Sequence, residues 1–82
     1  MDEYKLIRER ERAALAKQIL ANPLWQEAWE GYASNLRGHM ESAASSDAVV
    51  LESHKALVVL NRVRKHIEQA IETGKMAEIE LV

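Results

Sequence analysis

The sequence feature that most constrains the fold is one long helical pattern from Asp47 to Gly74. With successive residues placed 100° apart, its apolar positions fall in a single sector, whereas the period-two alternation of a strand does not fit. The residues of this sector are Val49, Ala56, Leu57, Leu60, Val63, Ile67, Ala70 and Ile71. The pattern therefore predicts one amphipathic helix over residues 47–73.

Both ends of this helix carry recognisable signals. Ser45, Ser46 or Asp47 can cap the start by accepting hydrogen bonds from free backbone N–H groups, and Gly74 is suited to the left-handed residue that follows a helix. At about 1.5 Å per residue the helix would be roughly 40 Å long. A compact domain of this size has a radius of gyration of only about 12 Å, so we expect an elongated protomer or an assembly.

Two further helices are predicted upstream of the long one. Residues 3–21 are rich in strong helix formers with interleaved opposite charges, and Asn22-Pro23 then breaks the chain because proline removes a donor and restricts the residue before it. A second helix is predicted over residues 23–44. Its apolar sector holds Trp25, Trp29, Tyr32, Leu36, Met40 and Ala43, with His39 expected as a hydrogen-bonded core residue.

The short link ESAASSD predicts that residues 23–44 and 47–73 form an antiparallel helical hairpin. In this register the side chains of Trp25, Trp29, Tyr32 and Leu36 would lie against Ile71, Ile67, Val63, Leu60 and Leu57. The expected fold is therefore all-α, a single helical domain over residues 1–82 with an additional N-terminal helix.

Several positions are candidates for an interface between copies. Gly31 and Gly38 lie seven residues apart on a side of the second helix that has only small side chains, which favours close approach of another backbone. The alternative is that both are surface glycines that the helix tolerates. Leu51 and Val58 lie opposite the main stripe of the long helix, where the hairpin alone cannot cover them. We expect the first helix to cover part of this face and a symmetry mate to cover the rest.

After Gly74 the segment KMAEIELV alternates apolar and acidic residues. This pattern predicts a short extended C-terminal tail over residues 75–82. The tail either frays or pairs with another chain by strand addition, and Ile79 and Leu81 would then contact the partner.

Composition and motifs exclude several function classes. The net charge of -2 argues against an indiscriminate polyanion binder, and no apolar run reaches transmembrane length, so we expect a soluble cytoplasmic protein without a membrane partner. There is no cysteine, and the three histidines lack the spacing of metal ligands. No sequence pattern brings together a nucleophile, a general base and a group that would stabilise a transition state. The sequence predicts a non-enzymatic protein without cofactor, metal or small-molecule substrate.

Two rows of basic residues remain candidates for nucleic-acid contact. Lys5, Arg8 and Arg12 follow one face of the first helix, and Lys55, Arg62 and Lys65, with His66, share a sector of the long helix. Acidic residues interrupt both rows, so a solvated charged face is the alternative.

Two segments of the chain resemble small helical proteins that tailed bacteriophages encode near their head and DNA-packaging genes. These segments are ANPLWQEAWEGYASNLRGHMES and RVRKHIEQAIETGKMA. The resemblance covers roughly residues 18–77. It implies a homo-oligomeric small terminase-type subunit, in the host cytoplasm, that contacts DNA and the large packaging subunit. Such subunits commonly add a helix-turn-helix domain, which this sequence lacks. The alternative is a small helical adaptor, or a phage-encoded inhibitor, that docks on one host protein.

Overall fold

The computed structural model describes residues 2–81. Their structure consists of three helices, α1 (Glu3–Ala21), α2 (Pro23–Glu41) and α3 (Asp47–Leu81), and none of these residues forms a strand. The all-α prediction is confirmed. The first helix has the predicted bounds, whereas the second ends three residues before position 44 and the third extends well past position 73.

Local interactions explain the break between α1 and α2. Asp2 caps α1, with its Oδ1 accepting a hydrogen bond from the Tyr4 N–H at 3.1 Å. At the other end Asn22 is extended, with φ -68° and ψ 123°, and its N–H donates to the Ile19 carbonyl oxygen. Because Pro23 disfavours a helical residue before it and begins α2 without needing an N–H partner, the chain stops and restarts here.

The link between α2 and α3 identifies the residue that caps the long helix. Ser46 Oγ accepts a hydrogen bond from the Val49 N–H at 3.3 Å, and the Ser46 carbonyl oxygen accepts from the Val50 N–H at 3.0 Å. Of the three predicted candidates, Ser46 therefore holds the N-cap position. Within the link, Ser42 Oγ accepts from the Ala44 N–H at 3.2 Å.

The predicted helix end at Gly74 and the extended tail over residues 75–82 are wrong. Helix α3 continues through Gly74 to Leu81, and Gly74 does not have a positive φ; Val82 lies outside the described residues. The segment after Gly74 contains good helix formers, and a helix pairs its own backbone groups, which an isolated strand cannot do.

The chain divides into two compact units. The first, called the α1 unit here, contains α1 and the part of α3 from Lys65 onward. The second, called the α2 unit, contains α2, the link and α3 up to Arg64.

Small residues dominate the buried positions of both units. Ala13, Ala16 and Ala77 are buried in the α1 unit, and Ala33 and Leu36 are buried in the α2 unit. Gly74 and Ser53 are also buried. Side chains this small allow helices to lie close together, but they remove little apolar surface from water.

Within the α2 unit, the predicted apolar sector of α2 is buried unevenly. Trp25 and Trp29 are half-buried, Tyr32 is 52% exposed, and Ala33 takes the buried position beside it. The guanidinium of Arg64 lies against the Trp29 ring, and the predicted packing of Trp29 against Ile67 stays a prediction. The predicted core position of His39 is also wrong, since this side chain is exposed.

Candidate interaction surfaces

The α1 unit contains an apolar groove, which we call the α1–α3 groove. It has a volume of about 330 Å³ and is lined by Arg12, Leu15, Ala16, Ile19, His66, Ile67 and Ala70. Ala16 is 4% exposed, while Leu15 and Ile19 are 58% and 43% exposed. Large side chains thus stand beside small ones, and only Arg12 and His66 bring polar groups to the lining.

A second groove of the α1 unit brings together the basic row predicted on the first helix. Lys5, Arg8 and Arg12 line this groove of about 410 Å³, and Asp2, Tyr4 and Glu9 complete its lining. The Arg8 guanidinium lies 6.0 Å from the Tyr4 ring centroid. The three cations therefore share one surface, but two carboxylates reduce its positive potential.

The basic row predicted on α3 is divided between the two units. Lys55 and Arg62 belong to the α2 unit, whereas Lys65 and His66 belong to the α1 unit. All four side chains are exposed. Each can contact solvent or a partner, and His66 also lines the α1–α3 groove.

The residues predicted to mediate oligomerisation all lie in the α2 unit. Leu51 is 54% exposed and borders a groove of about 430 Å³ with Met40, Asp47, Val50 and His54. Val58 is half-buried. Beyond the helix's own backbone, a Cβ added at Gly31 or Gly38 would meet nothing within 4 Å among the described residues.

The glycine that permits close helix approach is Gly74, for which the sequence pattern predicts a helix end. A Cβ at this position would overlap the Cβ of Ala13 and lie 3.1 Å from the Glu9 carbonyl oxygen. The available signal was the recurrence of small residues at Ala70, Gly74 and Ala77, which matches helical rather than extended periodicity.

The predicted contact residues of the C-terminal segment lie on a helix. Ile79 is 71% exposed, and Leu81 is half-buried. Contact of these residues with a partner stays a prediction, but strand addition cannot provide it while this segment is helical.

Trp29 carries an interaction that the sequence pattern does not predict. The Arg64 guanidinium carbon lies 4.7 Å from the Trp29 ring centroid, within the range of a cation–π interaction. The indole Nε1 is buried, and no hydrogen-bond partner for it occurs in the described part of the chain. This cation–π contact joins α2 to the first half of α3.

Residues 2–81 contain no cluster of three or more His, Asp or Glu side chains arranged to hold a metal ion. Over the same range, none of the helices combines the length and apolarity needed to cross a lipid bilayer.

Comparison with known proteins gives no family for the chain. No protein-family model matches it, and neither the curated proteins nor the solved structures yield a significant match.

Proposed function

We propose that this protein is a non-enzymatic helical assembly factor that acts as a homo-oligomer. The observation that carries the proposal is the contrast between its core and its surface. Among residues 2–81 the buried apolar residues are four alanines and Leu36, while large apolar side chains such as Leu15, Leu24 and Leu51 are more than half exposed. Association of copies would bury these side chains and stabilise the folded chain.

The size of the chain supports the same conclusion. A domain of about 60 residues buries only about 60% of the surface that its unfolded chain exposes, so small domains are marginally stable alone. In this protein of 82 residues the core also lacks large fully buried side chains among the described residues. Oligomerisation is one of the common ways in which such a chain gains stability.

The resemblance to phage proteins supplies the proposed biological setting. In that setting the protein is a small terminase-like oligomer, built on a helical hairpin, that assists viral DNA packaging by contacting DNA, the large motor subunit, or both. The groove lined by Lys5, Arg8 and Arg12 brings three cations to one surface and is the site proposed for DNA contact. With α3 helical to Leu81, contact with the large subunit would use a helix face that includes Ile79.

A different function is favoured by the shape and chemistry of the α1–α3 groove. An apolar groove between two helices is a common docking site for an amphipathic helix of another protein. The second candidate is therefore a small adaptor, or a phage-encoded inhibitor, that binds one host protein.

Absolute mass in solution separates the two candidates. Light scattering behind a sizing column should give a discrete assembly larger than 9.3 kDa whose mass is constant over a wide concentration range. A monomer at all concentrations would contradict the homo-oligomeric assembly factor and favour the adaptor.

A further inference from the structure

We propose that the basic groove of the α1 unit binds single-stranded rather than double-stranded DNA, with one base stacked on the ring of Tyr4. This groove is the one lined by Lys5, Arg8 and Arg12. The inference rests on the proposed DNA contact and deepens it by naming the form of DNA. All of the residues that carry it lie on α1, so the site is complete within one unit.

Tyr4 brings an open aromatic ring to this groove. The residue is 68% exposed, and the Arg8 guanidinium carbon lies 6.0 Å from the ring centroid. Proteins that bind single-stranded nucleic acid combine such rings, on which bases stack, with cations that follow the phosphates. Inside a duplex the bases are paired and stacked on one another, so a side chain cannot reach their faces. The ring therefore favours an unpaired strand.

The cations of the groove are the charges that a phosphate backbone reaches most easily. Lys5, Arg8 and Arg12 are all exposed, whereas Glu9 is half-buried. The other carboxylate of the lining, Asp2, caps the helix, because its Oδ1 accepts a hydrogen bond from a backbone N–H of the first turn at 3.1 Å. Cations spaced three and four residues apart share one side of a helix. They therefore offer phosphates a continuous positive surface.

The mixed chemistry of the lining favours DNA over an acidic segment of a protein. All six described lining residues are charged or aromatic. A nucleotide has an anionic phosphate for the cations, a flat face for the ring and, in cytosine, an amino group that donates to a carboxylate such as Glu9. An acidic peptide matches the cations alone, and both carboxylates repel it. The groove of about 410 Å³ also has the volume of a small-molecule site, which is roughly 300–1,000 Å³.

Fluorescence anisotropy in low salt at neutral pH tests the form of DNA. A labelled oligodeoxycytidine should bind about tenfold more tightly than a duplex of the same length, since one stacked base contributes about that factor. Equal or tighter binding of the duplex would overturn the inference and leave the proposed DNA contact standing. Binding of neither would overturn both. A glutamate peptide that competes as well as the oligonucleotide would assign the groove to a protein partner instead.

Variants of the ring test the stacking itself. Tyr4→Leu should weaken binding of the oligodeoxycytidine roughly tenfold, whereas Tyr4→Phe, which keeps the ring, should bind it like the wild-type protein. Tyr32→Leu is the matched control at an exposed tyrosine of α2 and should have no effect. Equal losses from Tyr4→Leu and Tyr32→Leu, or an equal loss from Tyr4→Phe, would overturn the stacking.

Photocross-linking keeps the test valid if a variant fails to fold. A strand that contains bromocytosine should cross-link the wild-type protein in the peptide that contains Tyr4. Cross-links confined to other peptides would overturn the proposal.

Discussion

Gly74 of α3 packs against Ala13 of α1 so closely that no further carbon fits between them. Both residues are buried, and they lie in the α1 unit with Ala16 and Ala77. The hydrogen atom that serves as the side chain of Gly74 is therefore what lets the two helices approach.

Replacing Gly74 with alanine should destabilise the protein. The substitution gains up to about 1 kcal/mol of helix propensity, but overpacking a close contact costs about 1–3 kcal/mol. We expect a net loss of roughly 1 kcal/mol, measured by urea unfolding at fixed protein concentration. Gly38→Ala is the matched control, because its added Cβ meets open space and should stabilise the protein. Equal stabilisation by both substitutions would contradict the contact.

The contact between Arg64 and Trp29 should appear as a coupling energy. In a double-mutant cycle with Trp29→Leu and Arg64→Met, we expect about 0.5–2 kcal/mol of interaction in the free energy of unfolding. The same cycle with Arg62→Met, an exposed neighbour, should give a value near zero. Equal coupling in the two cycles would show that the stacked guanidinium contributes nothing specific.

The N-cap of α3 gives a third test. Ser46→Ala removes the oxygen that accepts the Val49 N–H, and loss of such a cap costs about 1 kcal/mol. Ser34→Ala, within α2 at an exposed position, should change stability by less than about 0.5 kcal/mol. Thermal unfolding followed by circular dichroism measures both, and a cap variant as stable as the control would assign the helix start to another residue.

Substitutions after Gly74 distinguish a helical segment from an extended one. Ala77 is 1% exposed and Ile79 is 71% exposed, although in a strand both would lie on the same face. Ala77→Glu buries an unpaired charge and should cost about 3 kcal/mol. Ile79→Glu should leave the unfolding midpoint of the protein nearly unchanged. Similar losses from both variants would restore the extended tail that the alternating sequence suggested.

DNA binding, if it accompanies assembly, should depend on the first basic row. Combined Lys5→Ala and Arg8→Ala substitutions should weaken binding and reduce the slope of log affinity against log salt by about 2, because each phosphate contact contributes about 0.9. Lys17→Ala with Arg37→Ala removes the same charge at other exposed positions and should have a smaller effect. Fluorescence anisotropy in low salt measures both, and equal effects would make the row a solvated charged face.

Much of the local structure could be predicted because its causes lie within a few residues. Helix α1 has the predicted bounds, since propensity and the Asn22-Pro23 break act on adjacent residues. The sequence offered three residues with a hydroxyl or carboxylate that could cap the start of α3. One hydrogen bond, from the Val49 N–H to Ser46 Oγ, identifies Ser46 as the N-cap residue. In the structure the candidate basic and interface residues are exposed or half-buried. The α1–α3 groove was not predicted from the sequence.

Tertiary packing decided the rest. A glycine followed by an alternating segment gives the same local sequence signal whether it ends a helix or lies within one. What distinguishes the two cases for Gly74 is its close contact with Ala13 of α1. The helical pattern likewise marked Trp29 and Tyr32 as core, yet Ala33 is fully buried and Tyr32 is not. The sequence by itself determined where the three helices begin and where α1 ends, because propensity, caps and proline act locally. Which face of each helix is buried depended on the partner helix and its distance, which no single segment encodes.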